Sequence, residues 1–440
     1  MRSVRRNTEL GLLFLGTLVV VGAYILASLA QDSRIPSNIG PFLAVIIGIQ
    51  LVGHFAIRRF APNADGMLLP LASLLNGLGY VFIVRLDEAH RHPGGLAPLQ
   101  ATWAILGMGA FVGTLVLLSQ SRTLERYRYT AGLIGLGLLM LPLVPGVGQE
   151  INGSRIWVSL GPVNFQPGEF AKLALAVFFA GYLVDKRELL AVNRAVGPFS
   201  MPDPKHLGPV LVAWGASLVI MISQRDLGSS LLFFTLFIVL VWVATERASY
   251  LVVGTILFAL GATFSISQFD HVQNRVDIWR DPWADADDKG FQIVQSAYAM
   301  ADGGIVGRGI NLGTPDRIPY AETDFIFAAI TEELGLLGAT AILMAFLLFI
   351  GAGFRIAMRS SHGFDKLLAV GLTTLLGFQA FIIIAGVVRL LPLTGVTLPF
   401  VSYGGSSLLA NYVLLALLLR ISDNAEPKPV EATEAVAVTA

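Results

Sequence analysis

The chain has 440 residues, of which 55% are hydrophobic and only 14% charged, and its mean hydropathy is +0.70. Soluble domains carry about 25% charged residues, so this composition excludes a soluble globular protein and describes a polytopic membrane protein. Formal net charge is zero and cysteine is absent, which gives no sign of a nucleic-acid partner and excludes disulfides and Cys-ligated zinc or iron–sulfur sites.

The chain opens with MRSVRR and a long apolar run. LASLAQ offers small residues for signal cleavage, but the run from Leu10 to Ala30 is too long for a signal core and reads as a retained anchor. Runs of ~17–25 apolar residues cross a bilayer as helices. Twelve are predicted: 10–30, 39–57, 67–84, 99–119, 129–147, 167–184, 207–223, 228–245, 248–267, 326–354, 367–388 and 404–420. The fold expected is therefore an all-α polytopic membrane protein. Its N-terminal membrane segment covers 1–96 and its core 97–421, including the loop 268–325. A polar, disordered tail occupies 422–440.

Lys and Arg in short loops set the orientation. Arg2, Arg5, Arg6, Arg58, Arg59, Arg122, Arg126, Arg128, Lys186, Arg187, Arg194, Lys205, Arg247, Arg355, Arg359 and Lys366 fall in alternate loops. Those loops, with both termini, are expected in the cytoplasm. The unusual segments lie opposite: 148–166, 224–227, 268–325 and 389–403.

Even-numbered spans start on that outer side, and four starts are polar: NFQPGEFAK, QRDLGSS, PYAETDFIF and PFVSYGGSS. Pro167 suits a first turn, and Asp226, Thr323 and Ser402 are expected caps. Clustered helix N-termini attract an anion such as a phosphate. Glu169 and Lys172 stand i,i+3 and can pair on one face. Ionisable groups at membrane depth are costly and default to a functional reading, which also covers Asp324, Glu332 and Glu333.

The loop 268–325 has nearly 60 residues, a length that marks functional or disordered segments. FQIVQSAYAM has helical apolar spacing with Gln292, Gln295 and Ser296 interleaved, so it predicts a short amphipathic helix at the interface. GGIVGRG is expected to let backbone approach a ligand closely. Asp285-x-Asp287 is a weak metal-type signal, and nucleotide sugars are absent from the outer side. Asp281, Asp287 and Asp288 read as solvated loop carboxylates.

NGSRIWVSLGPVNFQPGEFAK, QRDLGSS, RV…DPWAD…GFQIVQS, GGIVGRG, IPYAETDFIFAAITEELG and LLPLTGVTLPFVSYGGSS together resemble the SEDS family of RodA and FtsW proteins over about 129–421. Two spans precede the family's ten-helix core, as in its actinobacterial RodA-like members. The resemblance implies a peptidoglycan glycosyltransferase that polymerises lipid II on the outer face of the cell membrane. A class B penicillin-binding protein is the implied transpeptidase partner, within the elongation or division machinery.

It also implies that Asp285 is the essential outer-loop aspartate. The family's Ser-Glu before a Lys falls on Gly168, Glu169 and Lys172, and its Gln-Pro-Asp-Leu-Gly becomes Gln224, Arg225, Asp226, Leu227 and Gly228. The second Arg of the Gly-Ser-Arg-Arg-Trp motif is Ile156 here, with Arg155 and Trp157 kept. The expected substrate-binding set is Arg155, Trp157, Gln166, Glu169, Lys172, Asp226, Arg275, Gln292, Gln295, Ser296, Asp324, Ser402, Gly404, Gly405 and Ser406.

The expected reaction is a single inverting displacement with Asp285 as general base and undecaprenyl pyrophosphate leaving. Arg155, Lys172, Arg275, the helix starts and a divalent cation such as Mg²⁺ are candidates to stabilise the departing charge. The competing class is a lipid II flippase without chemistry, and a third is a polytopic scaffold. Short cytoplasmic loops without polar machinery argue against the flippase.

Overall fold

Hydrocarbon offers no hydrogen bonds, so an apolar segment inside it satisfies its own backbone as a helix. The computed structural model of the protein describes residues 2–32, 39–90, 95–151, 153–161, 163–187, 194–196, 199–201 and 204–425. Its helices are α1 (Arg2–Asp32), α2 (Ile39–Phe60), α3 (Leu68–His90), α4 (Leu96–Leu117), a short α5 (Arg122–Arg126), α6 (Arg128–Met140), α7 (Gly168–Asp185), α8 (Pro204–Ser223), α9 (Leu227–Thr245), α10 (Ser249–Gln268), α11 (Asp270–Arg280), α12 (Phe291–Gly303), α13 (Ile326–Arg359), α14 (Gly363–Val387) and α15 (Gly405–Asn424).

Each of the twelve expected spans falls on one of these helices. Among the described residues nine helices are long and apolar enough to cross a membrane, and 128–143 and 211–223 form shorter apolar ones. The fifth expected span, 129–147, stops early because Pro142 opens a 3₁₀ turn. The expected tail lies outside the described residues from Glu426, and α15 carries the chain through Asn424. In α14, 83% of the apolar stretch is buried, against 6% in α10. Thus α14 forms the centre of the bundle and α10 lies at its rim.

The polar loops sort onto two faces. At one, Asn63 N–H donates to Asp423, Asp65 N–H to Ser422, and Arg355 pairs with Asp65 at 3.0 Å. At the other, Arg155 N–H donates to Gln224 O, Gln166 N–H to Ser406 Oγ, Tyr403 N–H to Glu322 O, and Arg275 to Leu393 O. These bonds tie 148–166 to 224–227 and to the start of α15, and 268–325 to 389–403, the segments that the basic-residue pattern assigns to the outer side.

Three features depart from the sequence reading. The outer loop 148–166 of an expected all-α fold holds an antiparallel sheet of β1 (Gly148–Ile151), β2 (Ser154–Leu160) and β3 (Val163–Phe165). α11 is a second loop helix. And α13 is broken at Gly335 (φ 67°).

The break explains the GGIVGRG turn. Carbonyls of Glu332 and Glu333 accept from Arg308 and Gly309 N–H at 3.0 and 2.9 Å, while Leu336 and Leu337 N–H donate to Gly304 and Ile305 O. The loop thus supplies the partners that an interrupted helix lacks. A Cβ on Gly307 would lie 2.2 Å from Glu333 O. These glycines admit the backbone of α13, correcting the expectation that they admit a ligand. α12 likewise packs along α13, burying Ile293, Val294 and Ala299, rather than lying free at the interface.

Candidate active site

The outer face is built from helix starts and the loops that tie them together. At the start of α9, Asp226 caps the helix by accepting Ser229 N–H at 2.9 Å. The other two expected caps fail. α13 begins at Ile326, so Thr323 lies outside it and donates to Tyr320 O instead. Ser402 precedes α15 by a full turn. Its hydroxyl donates to Thr323 O and accepts Leu398 N–H, locking two loops together. The N-cap position of α15 falls to Gly404, and Gly405 is required because a Cβ there would strike the Trp103 ring.

On α7, Lys172 and Glu169 are 4% and 6% exposed and pair at 2.8 Å. Lys172 also donates to Gln379 Oε1 at 3.0 Å, and the Gln379 amide donates to Thr397 O at 2.8 Å. Thr397 bonds Ser407, which also accepts from Asn411. Together with the Gln166–Ser406 bond, this unites α7, α14 and α15 in one buried polar network. Sequence reasoning missed Gln379, Thr397, Ser407 and Asn411. An isolated Gln inside the apolar run LLGFQAFIII was the available signal.

A second cluster forms around Gly395 (φ 72°), whose would-be Cβ lies 3.7 Å from Arg275 Nη2 and 3.8 Å from Asp324 Oδ2. Arg275 Nη1 donates to Leu393 O at 3.0 Å. Trp279, one turn further along α11, donates to Arg389 O at 3.0 Å, so this ring is pinned rather than presented. Burial pushes the Asp324 carboxyl up to about 6 against the opposing pull of Arg275. Burial also lowers Arg275, while Asp324 and Asp226 favour its charge.

Asp285 ends the 3₁₀ turn Pro282–Asp285. Its backbone is fixed: the carbonyl accepts Gly290 N–H at 2.8 Å, and Asp281 caps the turn through Trp283 N–H. Asp281 is therefore a structural cap rather than a merely solvated group. The Asp285 side chain is exposed, and it makes no hydrogen bond or ion pair among the described residues.

Of the other expected residues, Arg155 and Trp157 stand two apart on β2, on one face of the strand, both partly exposed. Gln292 and Gln295 keep partial exposure on α12, whereas Ser296 is fully buried and its hydroxyl has no partner among the described residues. Glu332 and Glu333 hold the outer loop: they accept Thr314 and Asn311 N–H, and Arg85 lies 3.2 Å from Glu333. Among the described residues, no three His, Asp or Glu side chains gather as a metal centre.

A helical bundle with a charged, hydrogen-bonded mouth and an exposed carboxylate on a rigid turn of the same face defines a multi-pass membrane enzyme that works at the bilayer surface. More narrowly, the chain belongs to the FtsW/RodA/SpoVE family, whose model, described as a cell cycle protein, matches residues 65–426.

The chain is 46% identical over 429 residues to the peptidoglycan glycosyltransferase RodA of Mycobacterium tuberculosis, covering 96% of this chain and 91% of that one. It is 35% identical over 332 residues to the probable peptidoglycan glycosyltransferase FtsW of Geobacter sulfurreducens, covering 75% and 86%. A solved peptidoglycan synthase complex, described as coordinating polymerization and crosslinking, matches with TM-score 0.68 and 28% identity over 82% of this chain and 98% of that one. A mutant of the Thermus thermophilus rod shape determining protein RodA matches with TM-score 0.57 and 26% identity over 83% and 99%.

Proposed function

We propose that Asp285 is the general base of this peptidoglycan glycosyltransferase, a multi-pass enzyme of the plasma membrane. It takes the proton from the 4-hydroxyl of one lipid II as that oxygen attacks the anomeric carbon of another. The bond from this carbon to the diphosphate breaks, and undecaprenyl pyrophosphate leaves with the electron pair. An α donor gives a β link, so one in-line displacement suffices. A diphosphate needs no acid to leave, so one carboxylate is enough.

The single observation that carries this reading is the contrast at Asp285. The polypeptide there is hydrogen-bonded in place while the carboxylate stays exposed and, among the described residues, unpartnered. It shares its face with two cationic groups, the buried Lys172 and the half-buried Arg275. Lys172 supplies positive potential from within the bundle and Arg275 from the loop, where a departing diphosphate would need it. Arg155, Trp157, Gln166, Asp226, Gln292, Gln295, Asp324 and Ser406 line or brace the same face. A divalent cation such as Mg²⁺, bound mainly by water and phosphate oxygens, would neutralise phosphate charge.

The greater identity to RodA than to FtsW favours a role in elongation and cell shape. The similar synthase complex supports a class B penicillin-binding protein as the crosslinking partner. Purified wild-type chain and Asp285→Ala, given lipid II with and without EDTA, test the reading. Wild type yields glycan polymer on a gel and the variant, equally folded, yields none. Polymer from Asp285→Ala removes the residue from catalysis.

A further inference from the structure

Arg225 stands at the tip of the turn between α8 and α9. Its φ is 60°, a region that disfavours any residue with a Cβ and that glycine enters freely. The turn is fastened on both sides. Arg155 N–H donates to Gln224 O at 3.1 Å, Ser154 Oγ to Arg225 O at 3.4 Å, and Asp226 N–H to Met221 O at 3.0 Å. A strained position held this firmly aims its side chain.

That side chain is exposed and makes no hydrogen bond or ion pair among the described residues. The acid next to it in sequence, Asp226, is engaged in capping α9. Nη1 lies 4.0 Å from the Cβ position of Gly153, beside the strand that carries Arg155. From the other side α11 offers His271 and Arg275, four residues apart and so on one helix face. His271 is pushed down by burial and then by the two arginines, with Asp270 opposing. Arg275 faces Asp324 and Asp226. A guanidinium unpaired among the described residues and a half-engaged one thus both reach His271, on the face that the basic-residue pattern assigns to the outside.

We propose that Arg225 is a second guanidinium clamp, gripping with Arg275 the phosphate of a lipid docked at the outer rim. The inference rests on the reading of this face as the site of transfer from a lipid diphosphate. The same phosphate chemistry also belongs to the headgroup of an anionic phospholipid, and the experiment separates the two. Guanidinium–phosphate pairs are charge-assisted, so loss of one weakens binding about tenfold or more.

The test uses full-length wild type, Arg225→Gly, Arg225→Lys and, as a control for charge alone, the exposed Arg280→Ala. Each is reconstituted in vesicles of phosphatidylcholine with or without phosphatidylglycerol. Lipid II polymerisation is followed kinetically, geranylgeranyl diphosphate serves as a competing probe, and thermal unfolding is recorded. Arg225→Gly is expected to unfold at the wild-type temperature or above. Its KM and the inhibition constant of the probe should rise about tenfold or more, with kcat little changed. Arg225→Lys should fall between, and Arg280→Ala should match wild type.

A rise seen in both vesicle types identifies the lipid-linked substrate, and one confined to phosphatidylglycerol vesicles identifies the headgroup. Unchanged KM and inhibition in both overturns the inference, as does a lowered unfolding temperature in Arg225→Gly, which would mark a structural arginine. Wild type that makes no polymer would instead overturn the glycosyltransferase reading.

Discussion

Replacing Lys172 with methionine separates the structural from the functional part of the α7 network. Lys172 Nζ lies 2.8 Å from Glu169 and 3.0 Å from Gln379, and both ends of the ion pair are almost sealed from solvent. Lys172→Met leaves the Glu169 carboxylate without its cation in a buried site, a change that costs about 3–5 kcal/mol. Glu169→Gln together with Lys172→Met removes both charges, and a neutral pair of similar shape is close to neutral in stability. The double variant should therefore regain most of the loss, on the order of 3 kcal/mol or more. Thermal unfolding of the four purified proteins in detergent measures it. Polymerisation of lipid II by the same samples should be lost in both single variants and in the double one. Normal unfolding of Lys172→Met, or normal polymerisation by the double variant, would refute the reasoning.

Three further predictions follow from the loops. Gly307→Ala places a methyl within 2.2 Å of Glu333 O at a residue with φ 90°. It should therefore speed amide hydrogen exchange at Leu336 and Leu337 and lower the unfolding temperature. Asp324 has a folded pKa of about 6 against 3.8 for the free side chain. Between those values the folded protein holds a proton that the unfolded chain has released. Stability therefore falls as pH rises through this window, by at most about 3 kcal/mol. Asp324→Asn should flatten that slope in unfolding curves taken from pH 4 to 7. Phenylalanine at position 279 (Trp279→Phe) removes the bond to Arg389 O. It should cost about 1 kcal/mol and raise exchange along α11 without abolishing polymerisation.

Hydropathy made the bundle legible, because length and apolarity alone decide what crosses a bilayer. The Asp226 cap was legible because an aspartate before a helix has a fixed local task. α12 was legible by its period, although its surroundings were not. What escaped depends on tertiary pairing. SRIWVSL becomes a strand only because Gly148–Ile151 and Val163–Phe165 flank it. The break at Gly335 hid inside an apolar run, and its two neighbouring glutamates were the available clue. Serving that break, the GGIVGRG glycines resemble a ligand loop by composition while their partner is another part of the chain. Thr323 and Ser402 were misjudged for a related reason: a hydroxyl near a helix start is equally able to tie loops together. The charged network of Glu169 and Lys172 was legible from spacing, but its extension through Gln379 required α14 to be in place.

The central claim is that a carboxylate at residue 285 faces the outside of the cell above this mouth. The chain contains no cysteine, so Asp285→Cys introduces a unique thiol. Intact cells expressing that variant, exposed to a membrane-impermeant maleimide, measure its sidedness directly. Rapid modification without permeabilisation, slowed by added lipid II in membranes, is the result predicted. Modification only after the cells are opened, or a rate indifferent to lipid II, would contradict the account.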